Sequence, residues 1–283
     1  MHEILEVENT ENLLEKECYK IGKKMYTRKK IDISNYEPKI LDVVFMMGGA
    51  GSRLLHITND KYSKHMIQIN DRPLSQYTFD LWRKNGFKRF LLLIDNTHRG
   101  KSIKEFYGDG SKFNVEIKYS VEERKLGSGG ALKKAIEDGI ISDSFVSHFP
   151  DDQIIGYDEF PIDFVRAVNF AFSNGYKIVL VCVPGARYPY GEVIDENNEV
   201  VDFIEKPFIK KDTSTGILAV HRDVFEDILK LDYSKEVKLE RTILKDLARK
   251  GKTFKVLIPT EVWIPVNDEP NLRKFEEISQ KLL

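Results

Sequence analysis

The sequence is short of the features that mark several function classes. It carries two cysteines in 283 residues, Cys18 and Cys182. They lie too far apart for a C-x-x-C pair and are too few for a disulfide framework, which fits a reducing, cytoplasmic setting. An excess of one charge is also lacking, since 44 basic and 45 acidic residues leave a formal net charge of −1. No global field therefore draws the chain to nucleic acid or to a membrane surface, although a local cationic pocket is still allowed. No apolar run approaches the ~20 residues of a membrane span. The start, Met1-His2-Glu3-Ile4, does not read as a secretory leader. The six histidines, His2, His56, His65, His98, His148 and His221, fall at no metal-ligand spacing and are read as structural or exposed. There is no internal repeat, and no hexapeptide repeat that would append a β-helix.

What is present is a globular composition. The hydrophobic fraction of 41% supports a substantial core. Residues 1–38 are polar, with Leu14, Cys18, Ile21 and Met25 at helical spacing before the basic run Arg28-Lys29-Lys30. This predicts an N-terminal helical extension packed on the main domain, or used as a dimer or partner contact. Residues 39–283 form the main domain. Apolar runs at Ile40 to Met47, Phe90 to Ile94, Val115 to Tyr119, Phe145 to Phe149 and Lys177 to Val183 alternate with helical stretches. That rhythm predicts a doubly wound α/β fold with a mostly parallel, Rossmann-like sheet. Beyond residue 185 shorter strands take over, with a hairpin tip at Asn197-Asn198, so a small mixed β region is expected. Helices over Lys238 to Lys250 and Asn271 to Leu282 close the chain.

The chemistry concentrates where strands end. Gly48-Gly49-Ala50-Gly51-Ser52-Arg53-Leu54 follows the first strand. Glycines there let the backbone approach a phosphate and aim N–H groups at it. The spacing is neither G-x-G-x-x-G nor a Walker loop, and Arg53 is the nearby cation. Lys64 comes eleven positions later, on a loop long enough to fold back over a triphosphate. A second Gly-rich turn, Leu126-Gly127-Ser128-Gly129-Gly130-Ala131-Leu132, opens a helix. Asp151-Asp152 ends the fourth strand, where oxygen ligands suit Mg²⁺. Tyr190-Gly191 and Glu205-Lys206-Pro207 flank the later strands.

In this order the segments resemble the sugar-phosphate nucleotidyltransferase family, over about residues 40 to 275. The family's opening G-G-x-G-[ST]-R-L fits Gly48 to Leu54, L-G-[TS]-x-G-A-L fits Leu126 to Leu132, and Ser214-Thr215-Gly216-Ile217 is similar to its N-x-G-I/Y strand. The resemblance implies transfer of a nucleoside monophosphate from a nucleoside triphosphate to a sugar 1-phosphate, with release of pyrophosphate. Arg53, Lys64 and Asp151 would be catalytic, with Asp151 holding Mg²⁺. Gly48, Gly49, Ala50, Gly51, Ser52, Glu122 and Gly127 would bind the nucleotide, and Gly191, Glu205, Lys206 and Thr215 the acceptor. Glu122 stands five residues before Gly127, where many members carry Gln. A carboxylate only accepts, which suits the paired donors of guanine, so GTP is favoured. Three departures stand out: Ser63 in place of the proline before the lysine, Pro150 in place of the glycine before the metal aspartate, and Pro265 where W-x-D would supply a second carboxylate. Two other readings are carried: a non-catalytic, nucleotide-sugar-binding regulator of the same fold, and a transferase acting on a non-sugar phosphate such as phosphocholine. Neither nucleic acid nor membrane is expected as a partner, and a homo-oligomer is left open.

Overall fold

The computed structural model describes the backbone of residues 3–9, 18–21 and 24–281, and side chains from residue 31 to 281. Seven strands form the central sheet: β1 (Asp42–Met46), β2 (Arg89–Asp95), β3 (Glu116–Glu122), β4 (Phe145–His148), β5 (Ile178–Val183), β6 (Thr213–Val220) and β7 (Thr253–Leu257). Their order is β7-β5-β6-β4-β1-β2-β3. β6 runs antiparallel to both of its neighbours, and every other adjacent pair is parallel. The apolar runs of β1, β2 and β5 follow from this placement, because a parallel strand covered on both faces has little use for polar side chains.

Helices α1 (Leu74–Lys84), α2 (His98–Tyr107), α3 (Gly127–Glu137) and α4 (Phe160–Ser173) cover the sheet. Phe79, Trp82, Tyr107 and Phe164 pack with Phe45, Phe90 and Val181 on one face. Leu132 joins Val44, Leu91, Phe145 and Leu218 on the other. The expected three-layer α/β architecture is therefore the architecture found. A third cluster lies at the carboxyl end of the sheet, where Leu54, Ile67, Ile264, Val266 and Phe275 tie the loops after β1 to the C-terminal helix.

Two expectations are corrected. The described N-terminal residues form strands and not a helix: Glu3–Asn9, Cys18–Ile21 and Lys24–Asp32 make a three-stranded antiparallel sheet. Ile21 pairs with Lys24, so Cys18 and Ile21 lie on one strand and Met25 on the next, and their spacing does not mark one helical face. Tyr19, Tyr26, Thr27 and Ile31 are of the aromatic and β-branched types that favour strands. Leu14, also placed on that helix, lies outside the described residues. The helix expected over 238–250 is split into a 3-10 turn, Leu239–Arg241, and an α-helix, Ile243–Arg249. Thr242 breaks it with ψ of −99°, and its hydroxyl donates back to the Lys238 carbonyl. The hairpin is as expected: Glu192–Glu196 pairs with Glu199–Ile204 across Asn197 and Asn198. Both asparagines have positive φ, 51° and 68°, as a type I′ turn demands.

Candidate active site

The β1 ladder ends at Met47, whose N–H donates to the Leu93 carbonyl at 2.9 Å. Gly48 to Arg53 then lie at the surface, at the carboxyl end of the sheet. Gly49 and Gly51 have φ of 103° and 58°, conformations that cost other residues free energy. Gly51 caps the short turn Ser52–Leu54, and buried Leu54 anchors it in the core. Ala50, Ser52 and Arg53 are exposed. Arg53 makes no hydrogen bond or ion pair among the described residues, so its guanidinium is available to an anion.

Lys64 reaches back across this loop. A Cβ on Gly51 would lie 3.0 to 3.2 Å from the Cβ, Cγ and Cδ of Lys64, so the glycine leaves room for the lysine stem. Ser63, standing where a proline was expected, adopts φ of −63°, the value proline would impose. Its N–H also donates to Ser102 Oγ at 3.3 Å, a bond proline could not make.

The Lys64 ammonium pairs with Oδ2 of Asp151, whose side chain is 3% exposed. Burial alone would raise the Asp151 carboxyl, but the Lys64 charge beside it and, next, His65 bring it below the usual range. Asp152 behaves oppositely: burial and the neighbouring Asp151 charge push it well above that range, and its Oδ1 accepts the Trp263 indole N–H at 3.2 Å.

The turn that carries these carboxylates is braced on two sides. His148 accepts the Trp82 indole N–H on Nδ1 at 2.9 Å, so its other ring nitrogen carries the hydrogen and donates to the Asp152 carbonyl at 2.7 Å. Burial lowers the His148 pKa to about 4, which keeps the ring neutral. On the other side Trp263–Pro265 pairs with Asp152–Ile154, with Pro265 opposite Asp152. The expected second-carboxylate position therefore does border the site, but the side chain there is a proline.

Asp151 Oδ1 is buried without a hydrogen-bond partner. A buried, unpartnered carboxylate oxygen suits a hard divalent cation that takes its remaining ligands from phosphate and water. Among the described residues no group of three His, Cys, Asp or Glu side chains is placed to hold a metal unaided.

A cleft opens beside the glycine loop, lined by Gly48, Gly49, Glu122, Lys125, Gly127 and Phe149 among others. Sequence-spaced candidates from β1, β3 and α3 thus share one wall. Glu122 Oε2 accepts the Leu126 N–H at 3.1 Å, while Oε1 stands 2.8 Å from where a Gly48 side chain would begin. Burial raises the Glu122 carboxyl, the Leu126 bond opposes this, and the Asp95 charge adds to it.

The second glycine turn does more internal packing than its composition suggests. A Cβ on Gly127 would meet the Val237 carbonyl at 2.5 Å. The Gly129 N–H donates to that same carbonyl at 3.0 Å, and Val237 returns its N–H to the Leu126 carbonyl at 2.8 Å. Part of the helix N-terminus is therefore occupied by residues 236–239, and not left open to a phosphate.

Of the expected acceptor residues, Gly191 lines a second cleft, on the mixed β region, while Glu205, Lys206 and Thr215 do not. Gly191 lines it with Arg187, Tyr188, Lys211 and Thr213. Glu205 and Lys206 are exposed, and Lys206 holds φ of 49°. Thr215 is corrected. It is buried, and its hydroxyl donates to the Val181 carbonyl at 3.0 Å, so it is spent inside the sheet because strand alternation turns it inward. Its neighbour Gly216 faces the site instead, where a Cβ would lie 3.2 Å from Asp152 Oδ2. β6 thus spans from the second cleft, at Thr213, to the acidic turn, at Gly216. Sequence reasoning met Asp152, Gly216, Trp263 and His65 within its motifs but gave none of them a role of its own. For His65 the one available signal is its place directly after Lys64.

At the carboxyl edge of a parallel sheet the structure sets the glycine loop, with an arginine that is unpaired among the described residues, against the Lys64–Asp151 pair, equipment suited to handling phosphate esters. Residues 42–266 match the nucleotidyl transferase family. The chain belongs to that family and is a nucleotidyltransferase, which sets aside the non-catalytic reading. It is similar to the D-glycero-α-D-manno-heptose 1-phosphate guanylyltransferase of Campylobacter jejuni, 30% identical over 213 residues, or 74% of this chain and 89% of the relative. It is also similar to a UTP–glucose-1-phosphate uridylyltransferase of Synechocystis, 26% identical over 82% of this chain and 61% of the relative. In fold it resembles a glucose-1-phosphate thymidylyltransferase structure from Bacillus anthracis, with a TM-score of 0.64 at 19% identity, covering 84% of this chain and 94% of the other. Among the described residues no helix is long and apolar enough to cross a membrane.

Proposed function

We propose that this chain transfers a nucleoside monophosphate from a nucleoside triphosphate, GTP in preference, to a sugar 1-phosphate, releasing pyrophosphate and forming a nucleoside diphosphate sugar. The observation that carries the proposal is the Lys64–Asp151 pair folded over Gly51, beside the cleft of Gly48 and Glu122. An oxygen of the acceptor phosphate attacks the α-phosphorus, and pyrophosphate leaves in line. Positioning and charge neutralisation supply most of such catalysis. Arg53 and the N–H groups of Gly48 to Gly51 take the leaving pyrophosphate, Lys64 exchanges Asp151 for the reacting phosphates, and Lys206 takes the acceptor phosphate. Asp151 is the residue to hold Mg²⁺, which when bound would neutralise charge on the α-phosphate.

The preference for GTP rests on Glu122. Glu122 lines the cleft, Oε1 accepts no hydrogen bond among the described residues, and Oε2 keeps a lone pair beyond its bond to Leu126, so the carboxylate can accept from both the ring N–H and the exocyclic amine of guanine. The names of the relatives include both guanylyl- and uridylyltransferases, and the first of them acts by name on a heptose 1-phosphate, which supports an aldose 1-phosphate as acceptor. The test is a product assay crossing GTP, UTP, dTTP, CTP and ATP with a panel of sugar 1-phosphates and phosphocholine, repeated with Glu122→Gln. The proposal expects GTP to give the highest kcat/KM and the variant to lose that preference by roughly 10-fold or more, since an unmatched buried partner costs about 1–3 kcal/mol. Preference for UTP or dTTP in the unaltered chain would remove Glu122 as the reader of guanine.

A further inference from the structure

Asp151 is not the only buried group at the site left without a partner. His65 is 1% exposed, and its Nδ1 has no hydrogen-bond partner. That nitrogen faces Asp151 Oδ1, the other unpartnered buried atom, at 3.9 Å. The gap is too wide for a hydrogen bond. Two atoms bound at about 2.0–2.2 Å to one ion lie roughly 3.0–3.5 Å apart at the usual ligand angles, so the two side chains would close by about half an ångström on a shared ion. Two buried polar atoms that face each other without hydrogen-bond partners need an explanation, and a shared cation accounts for both at once.

Pro265 pairs with Asp152 beside this turn and offers no ligand. Asp152, the other carboxylate nearby, already accepts from Trp263, and its Oδ2 lies 3.2 Å from where a Gly216 side chain would begin. We infer that His65 is the second protein ligand of the divalent cation at this site, with Asp151, and that the pair selects Mn²⁺ or Co²⁺ over Mg²⁺. The inference rests on the proposed function, in which that cation is held together with the triphosphate.

The chemistry agrees with the geometry. An imidazole nitrogen that carries no hydrogen is a common ligand of divalent metal ions. A nitrogen ligand favours transition ions, whereas an all-oxygen set suits Mg²⁺. With two protein donors the site is incomplete by itself, so phosphate oxygens supply the remaining positions. His65 is held in place by its own turn, Lys64–Met66, in which the Ser63 hydroxyl accepts the His65 N–H at 3.4 Å.

The experiment uses the full chain with a non-hydrolysable α,β-methylene triphosphate and Mn²⁺, read by electron paramagnetic resonance. Pulsed spectra of the unaltered protein should show coupling of Mn²⁺ to a histidine nitrogen, and His65→Asn should lose it. His65→Asn should also bind Mn²⁺ in the ternary complex at least ~10-fold more weakly while changing Mg²⁺ affinity much less, and His65→Asp should favour Mg²⁺. The pulsed measurement on the unaltered chain needs no variant to fold. Absence of nitrogen coupling there, or an unchanged ratio of Mn²⁺ to Mg²⁺ affinity in His65→Asn, overturns the inference. So does a fall in Mn²⁺ affinity in Asp152→Asn that His65→Asn does not match. Asp151→Asn separates the two levels: if it leaves ternary metal binding intact, the proposed function has misplaced the cation, and if it alone weakens binding, only the role of His65 fails.

Discussion

Lys64 and Asp151 illustrate how a buried charge is kept ready. Asp151 is nearly inaccessible to solvent and is ionised because an ammonium lies against it. Removing one partner strands the other, and losing a donor aimed at developing charge typically costs on the order of 10²–10³ in rate. Lys64→Ala is therefore expected to lower turnover at least ~100-fold while the circular dichroism spectrum stays unchanged. Near-normal pyrophosphate release by that variant would move the site elsewhere. The two fully buried histidines make a different prediction. His65 and His148 titrate near 6.5 when unfolded and near 4 when folded. Between those values the unfolded chain holds protons that the folded chain lacks. Their contribution to stability is complete above pH 6.5 and is lost as the pH falls toward 4, by about 1.4 kcal/mol per pH unit for each ring. Asp152, displaced upward, acts in the opposite sense. Denaturant melts of the unaltered chain and His148→Gln between pH 7 and 4 isolate the histidine: the variant should show the shallower acid-side fall, and equal slopes would contradict the assignment.

At the scale of elements, glycines decide which surfaces can meet. Gly127 has φ of 76° and lies 2.5 Å, at its missing Cβ, from the Val237 carbonyl. Gly127→Ala should destabilise the fold by about 1–3 kcal/mol, measured by urea unfolding, through loss of the contact between α3 and residues 236–239. Gly191 abuts the Phe203 ring, which its Cβ would approach to 2.1 Å. Gly191→Ala should raise the KM for the acceptor severalfold and leave that for the triphosphate unchanged; the reverse pattern would place the acceptor in the other cleft. Much of this arrangement is legible in the sequence. β1 and β2 read as buried strands because both faces are covered, and the Asn197-Asn198 tip reads as a turn because its backbone angles demand such residues. The places where reading fails share one cause. The N-terminal spacing fits a helix or paired strands equally until the pairing of Ile21 with Lys24 is known. Thr215 carries the right motif, but strand alternation turns it into the core. The role of Gly127 depends on Val237, more than a hundred residues away, and the pairing of His65 with Asp151 likewise spans loops whose meeting no local pattern announces.

For the whole molecule, the sheet order brings the loops after β1, β3 and β4 to one edge, and antiparallel β6 runs from the second cleft, at Thr213, to that edge at Gly216. A site assembled from so many segments is stabilised when occupied, since a ligand that binds only the folded state adds about 2.7 kcal/mol at 100 times its Kd. Mg²⁺ alone should raise the melting temperature little, because the protein offers few ligands, and Mg²⁺ with a triphosphate should raise it clearly. A large rise with Mg²⁺ alone would reveal protein ligands beyond those assigned. The central claim is nucleotidyl transfer itself, and the most direct measurement follows the two ends of the triphosphate separately. With GTP labelled at the α-phosphorus in one reaction and at the γ-phosphorus in another, incubation with Mg²⁺ and an aldose 1-phosphate should place the α-label in a nucleoside diphosphate sugar. The γ-label should appear in pyrophosphate in equal amount, and Lys64→Ala should abolish both. Release of the γ-label as inorganic phosphate, or an α-label that stays in free nucleotide with every triphosphate and acceptor tried, would contradict the account.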